Sequence, residues 1–357
     1  MSICLANGGA ERSAAMLSEM LHSKGHEVHI AILTNQINFD YKGKLFNLGL
    51  EKRKDETLRG RLKRLMKLRV YLKKEEFDLI IDHRTKTDYY RERFYQNVIY
   101  RGFKKIYVVH SSNQALYLTK QPHKAAKIYN KNLATVGVSH YITQKALPEV
   151  GIKNTHTIAN AFDQNWAGVE SPVPEALHDQ KYILSYGRID DTVKDLTFLI
   201  NSFTASNLWQ SDVKLVVLGD GPDKEALQHF SKGLASSEFI MFLPNQSPFS
   251  IVKKATCVTL TSRFEGFPMV LVEALSLSVP VVSLDIVSGP SEIIEHGENG
   301  LLVEKREVSL FAEALQAMVQ NQSLHNHCAS NAKASVAKFS MAEISEKWNQ
   351  LIQDEVR

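Results

Sequence analysis

Two doubly wound α/β domains are the fold class this 357-residue chain predicts. Three observations predict it. In both halves, short apolar runs rich in β-branched residues alternate with longer segments of helical period, the pattern of βαβ units around parallel sheets. Between the halves, residues 163–180 break that rhythm with Gly168, Pro172, Pro174 and scattered polar residues, as a linker would. No internal repeat of about 20 to 50 residues interrupts either half, which excludes a solenoid. Domains are therefore expected at 1–164 and 165–340, with a terminal helical segment at 341–357.

The first half opens on Asn7-Gly8-Gly9-Ala10-Glu11-Arg12, followed by an apolar-periodic run through Ala15, Leu17, Met20 and Leu21. This is a glycine loop opening a helix, where free amides favour phosphate or other anions; as a plain turn it needs no ligand. Candidate strands follow at 28–33, 78–82, 105–110, 133–139 and 155–159. Segment 58–74 reads as a basic amphipathic helix. Leu58, Leu62, Leu65 and Leu72 share one face, while Arg61, Lys63, Arg64, Lys67, Lys73 and Lys74 crowd the rest. That pattern suits a core-packing helix with a solvated basic face. Binding to anionic lipid headgroups or to an acceptor carrying a pyrophosphate is the alternative.

In the second half, strands are expected at 182–186, 213–218, 239–243, 257–261 and 279–284, and three helical segments close the chain. Ser185-Tyr186-Gly187-Arg188 ends the first of these strands, with Lys194-Asp195 opening the next helix. Two cations at the carboxyl end of a parallel strand sit where open α/β sheets bind ligands. Arg offers a fork and Lys a point charge, so together they could neutralise a diphosphate; an ordinary surface ion pair is the bland alternative. Glu265-Gly266-Phe267-Pro268-Met269-Val270-Leu271-Val272-Glu273 follows the strand at 257–261. The backbone amides of Gly266, Phe267 and Met269 could meet sugar hydroxyls, and Glu273 could accept from ribose hydroxyls. Alternatively Glu265 merely complements a helix dipole and Glu273 is an exposed helical residue.

Composition narrows the class. With 44% hydrophobic and 23% charged residues the chain is globular, and 43 basic against 39 acidic residues is too mild an excess to argue for nucleic acid. Cys4, Cys257 and Cys328 are scattered without CxxC spacing, so neither a disulfide framework nor a zinc site is indicated. His22, His26 and His29 have metal-like spacing but straddle the Gly25 turn and read as structural surface histidines. No GxSxG elbow or Walker loop occurs. No apolar run approaches the roughly 18 residues of a membrane span. The expected location is the cytoplasm, or peripherally the inner face of the cell membrane.

These motifs, in this order, resemble family 4 of the retaining glycosyltransferases. The likeness runs from Gly8-Gly9-Ala10-Glu11-Arg12 through Val136-Gly137-Val138-Ser139, Gly187-Arg188 with Lys194, and Leu218-Gly219-Asp220-Gly221-Pro222. It continues through the Glu265 and Glu273 pair, Ser288-Gly289-Pro290-Ser291-Glu292-Ile293-Ile294 and Asn299-Gly300-Leu301-Leu302-Val303. The resemblance implies the GT-B fold: two Rossmann-like domains facing each other across a cleft, the C-terminal helix returning to the first. It implies that Arg188 and Lys194 bind the donor diphosphate, Glu265 the donor sugar and Glu273 the ribose. Gly8 and Gly9 would close over phosphates and acceptor, and His110 would lie near the transferring sugar, unless it is simply a histidine hydrogen-bonded at a strand end. The implied activity is metal-independent, retaining transfer of a hexose or N-acetylhexosamine from a nucleotide-diphosphate sugar, UDP being the family's commonest. No cofactor is implied, and the acceptor would be a lipid-linked or cell-surface polysaccharide glycan. A nucleotide-sugar epimerase of the same architecture and a non-catalytic subunit are the competing readings.

Overall fold

The computed structural model describes every residue except Asn7, 53–56, Val169 and Arg357, and not the side chain of Ala167. The chain divides into two compact units, one of Met1–Ala161 with Met341–Arg357, the other of Phe162–Ser340.

In the first unit, β3 (Leu79–Asp82), β4 (Lys104–Val109), β5 (Ala134–Gly137) and β6 (Thr155–Thr157) form a parallel sheet in chain order. A separate parallel pair, β1 (His29–Ile32) with β2 (Lys44–Asn47), lies beyond it. Residues 1–6 join the two. The Met1 ammonium donates to Ile81 O, His83 N to Met1 O, Ser2 N to Ala31 O and Leu33 N to Ile3 O. This opening segment therefore fills a strand slot between β1 and β3. Counted with it, the order is 3-2-1-4-5-6-7, the doubly wound arrangement whose reversal point lies between residues 1–6 and β3. α1 (Gly9–Ser23) follows the slot, and the helix Met341–Val356 packs on it through an ion pair of Lys24 with Glu346 and a His26–Asn349 hydrogen bond of 3.1 Å.

β2 was not among the expected strands. It is an edge strand of four residues, Lys44-Leu45-Phe46-Asn47, with no buried position, so its pattern carries no core signal. α2 (Leu58–Lys74) takes the expected span, with Thr57 capping it through Gly60 N. Its expected apolar face needs correction. Leu68 and Leu72 are buried, whereas Leu58 is 82% and Leu62 47% exposed. Its buried positions lie in the C-terminal half.

In the second unit, six parallel strands run β12-β11-β10-β7-β8-β9. They are β7 (Tyr182–Tyr186), β8 (Lys214–Leu218), β9 (Ile240–Leu243), β10 (Cys257–Leu260), β11 (Val281–Leu284) and β12 (Gly300–Val303). Every position of β10 and β11 is buried, as expected of parallel strands covered on both faces. One core layer sets the helix Leu196–Ala205 against Val308–Gln320, with Phe198 and Phe311 edge to face at 5.6 Å. β12 was also not expected, because it opens on Gly300 and is only half buried. The order again reverses once, between β7 and β10.

Candidate active site

At that reversal point the carboxyl ends of β7 and β10 diverge, and ligands of open α/β sheets bind in the crevice this creates. Gly187, at a φ of +129°, turns the chain out of β7 and presents Arg188, whose side chain is 71% exposed and 3.7 Å from Asp190. A single helical turn, Asp191–Lys194, follows; Lys194 ends this turn rather than opening the next helix. Asp195, left-handed at φ +50° and buried, then redirects the chain into Leu196–Ala205.

Asp195 fastens the two strand ends together. It pairs with Arg263 at 3.0 Å and Arg306 at 2.6 Å, and Arg306 also donates to Thr261 O and Ser262 O. Thr261 Oγ1 in turn donates to Lys194 O, and Arg263 N to Val193 O. The result is a rigid floor under Lys194. Its Nζ donates to Glu265 Oε1 at 2.7 Å, and Ser262 Oγ donates to the same oxygen at 2.7 Å. Both side chains are partly exposed, at 24% and 16%, so the pair is accessible from one side.

Glu273 is 2% exposed on the helix Met269–Ser276, and Tyr186 OH donates to its Oε2 at 2.8 Å. The alternative that Glu273 is an exposed helical residue is thereby corrected. A buried carboxylate needs donors around it, and Tyr186 supplies one directly before Gly187-Arg188. Gly266 and Phe267 are buried; Ser288 Oγ donates to Gly266 O, and Phe267 packs edge to face on Phe339. Met269 is the first residue of its helix, so its amide has no carbonyl of an earlier turn to meet. The loop thus brings Arg188, Lys194, Glu265 and Glu273 to one strand end. Gly219 and Gly221 serve this geometry from behind: a Cβ at Gly219 would collide with Gly187 O, and one at Gly221 with Ile189 O. Asn299 is buried too, its side chain donating to Ile293 O and accepting from Glu295 N, so that motif holds a turn.

Gly8, Gly9 and His110 belong to the first unit. Gly8 is the N-cap of α1, and a Cβ there would collide with the Glu11 carboxylate, which burial raises in pKa. Glu11 thus already offers this helix start an anion. Asn7 of the glycine loop lies outside the described residues. His110 follows β4, with Nε2 2.9 Å from His83 Nδ1. Burial pushes His110 down to about 3 and His83 well below its ordinary value, so both rings are neutral at physiological pH. Sequence reasoning missed His83. Its only signal was a position one residue past β3, in Asp82-His83-Arg84. Behind it Arg84 makes a bidentate pair with Asp82 (3.1 and 2.8 Å) and reaches Glu92 at 3.1 Å, all three buried. Burial alone would raise Asp82, yet Arg84 and Lys86 hold it far below the usual carboxylate range.

No helix is long and apolar enough to cross a membrane among the described residues. Of the three histidines around the Gly25 turn, His26 meets Asn349 and His29 meets Tyr71.

Residues 170–335 match the family Glycosyl transferases group 1, and residues 7–166 match Glycosyltransferase Family 4. A Campylobacter jejuni relative, N-acetylgalactosamine-N,N'-diacetylbacillosaminyl-diphospho-undecaprenol 4-alpha-N-acetylgalactosaminyltransferase, is 27% identical over 96% of this chain and 95% of its own. The exopolysaccharide phosphotransferase of Streptomyces coelicolor is 35% identical over 140 residues, 39% of this chain, and the chain spans 15% of that protein's length. Among solved structures, Anabaena HepE in complex with UDP-glucose superposes with a TM-score of 0.76 at 19% identity, over 99% of this chain and all of that one. At that identity the likeness speaks for the fold.

Proposed function

Because this chain belongs to Glycosyltransferase Family 4 and has the GT-B fold, we propose that it transfers a hexose or N-acetylhexosamine from a UDP-sugar to a lipid-linked or cell-surface polysaccharide acceptor. The observation that carries this reading is the Lys194–Glu265 pair, 2.7 Å apart at the β7–β10 reversal point. In the bound state Arg188 and Lys194 neutralise the donor diphosphate as its bond to the sugar breaks. Fixed cations in a preorganised site stabilise that developing charge without reorganising. Glu265, held by Lys194 and Ser262, receives the hydroxyls of the donor sugar, and Glu273, oriented by Tyr186, those of the ribose. The amides of Gly266, Phe267 and Met269 donate to the sugar, and those at Gly8 and Gly9 to phosphate or acceptor oxygens. His110 acts as a neutral hydrogen-bonding group toward the transferring sugar.

With the leaving diphosphate as base, the acceptor attacks the face from which the nucleotide departs, and the anomeric configuration is retained. The positive charge that Mg²⁺ supplies in other phosphate chemistry comes from Arg188 and Lys194. Two relatives support the choice of substrates: the Campylobacter enzyme is named for a diphospho-undecaprenol acceptor, and HepE was solved with UDP-glucose. Incubation with radiolabelled UDP-hexoses and UDP-N-acetylhexosamines plus bacterial lipid-linked glycans should move label into the lipid phase. Conversion of a UDP-sugar without any acceptor would instead make the protein an epimerase.

A further inference from the structure

Three residues past β12, in the polar stretch Glu304-Lys305-Arg306-Glu307 that belongs to none of the motifs above, Arg306 turns toward the reversal point of the second unit. β11 lies between β12 and β10 in the sheet, so the contacts of this side chain join strand ends that are not neighbours. Nη1 donates to Asp195 Oδ2 at 2.6 Å and to Thr261 O at 2.9 Å, and Nη2 donates to Ser262 O at 2.7 Å. Behind this fork lies the ring of Phe198 at 5.5 Å, itself held in the core against Phe311. A planar guanidinium can meet three acceptors at fixed angles while stacking on an aromatic face. A lysine ammonium is a single point charge and cannot.

Each of its acceptors leads straight to a residue of the candidate site. Asp195 directly follows Lys194 and is left-handed at φ +50°, a conformation that a non-glycine residue keeps only where its surroundings hold it there. Thr261 Oγ1 donates to Lys194 O at 3.0 Å and lies 3.2 Å from Asp195 O. Ser262 Oγ donates to Glu265 Oε1, the oxygen that also receives Lys194 Nζ. Arg263 reaches Asp195 too, at 3.0 Å, but it joins two strand ends where Arg306 joins three. We propose that Arg306 is a positioning residue of this site, acting through Asp195 on Lys194 and through the carbonyls of Thr261 and Ser262 on Glu265. That the ligand so received is a nucleotide-sugar rests on the transferase reading above; the coupling itself does not.

The test compares UDP affinity, by equilibrium dialysis of the full chain with radiolabelled UDP, in the wild type, R306K, K194A and R306K/K194A. R306K keeps the charge but loses the fork, and should weaken UDP at least about tenfold. Because Arg306 acts through Lys194, adding R306K to K194A should weaken UDP by less than about a further twofold. A purely structural role would instead add its full loss to that of K194A. Wild-type affinity in R306K, or losses that add in the double variant, overturns the proposal. A second readout needs no ligand. In urea unfolding, K194A and E265A should be non-additive by at least about threefold in the unfolding constant, and should become additive once R306K is present. Additivity already in the wild-type background, or coupling unchanged by R306K, overturns the proposal as well. D195N, which keeps the side-chain shape and loses the charge, replaces R306K in both readouts if R306K does not fold. A wild type that does not bind UDP, with the Lys194–Glu265 coupling lost in R306K, would sink the transferase reading and leave the positioning role standing.

Discussion

Lys194 and Glu265 meet each other directly, and that pairing makes both residues testable one at a time. Lys194→Ala should lower sugar transfer at least about a hundredfold, as loss of a preorganised charge on a developing anion does, and Glu265→Ala similarly. Thermal melting checks that neither variant is unfolded; full turnover in either removes it from the site. The histidine pair gives a pH signature. His110 is held down near 3 and His83 well below its ordinary value, so between about pH 6.5 and 3 the unfolded chain takes up protons that the folded chain refuses. Stability is therefore fully present above about pH 6.5 and falls as pH drops, by up to about 1.4 kcal/mol per unit for one buried histidine. Lys86, Asp82 and the Met1 ammonium surround the pair and shift this slope without reversing it. His110→Gln should flatten the profile, read as urea midpoints at pH 5 and 7; an unchanged slope would mean that His110 already titrates normally.

At the level of elements, the glycine loop after β8 shows what a motif can encode. Gly219 has φ +148° and lies against Gly187 O, so Gly219→Ala should cost about 2 kcal/mol or more through strain and collision, measured by urea unfolding. On α2 the same substitution logic separates packed from unpacked leucines. Leu72→Ala should cost about 2–5 kcal/mol, and Leu62→Ser within about 0.5 kcal/mol. Helical period alone placed Leu58 and Leu62 with Leu72 on one face. Period cannot tell which end of that face meets a partner, because packing is decided by distant segments. The same limit hid β2 and β12, short strands whose place is set by neighbours in the sheet rather than by their own alternation. The strands at 182–186 and 257–261 were legible because buried parallel strands read as continuous apolar runs. Glu273 was legible as a candidate, but its burial and its partner Tyr186, 87 residues away, were not.

Across the whole molecule one architectural rule recurs. Each unit winds its sheet outward from a single reversal point, and each reversal point carries cations: Arg188 and Lys194 in the second unit, Arg61, Arg64 and Lys52 near that of the first. The sequence ordered the helices and most strands but could not order the sheet, since pairing of β7 with β10 joins residues more than 70 positions apart. On the function proposed above, the network that fixes Lys194 against Glu265 is what suits the second reversal point to a donor. The most direct measurement is the thermal stability of the intact protein titrated with UDP. The wild type should gain about 2.7 kcal/mol at a hundredfold excess over Kd, and Lys194→Ala should lose most of that gain while R61Q/R64Q keeps it. Equal stabilisation of the wild type and Lys194→Ala, or none in the wild type, would contradict the account.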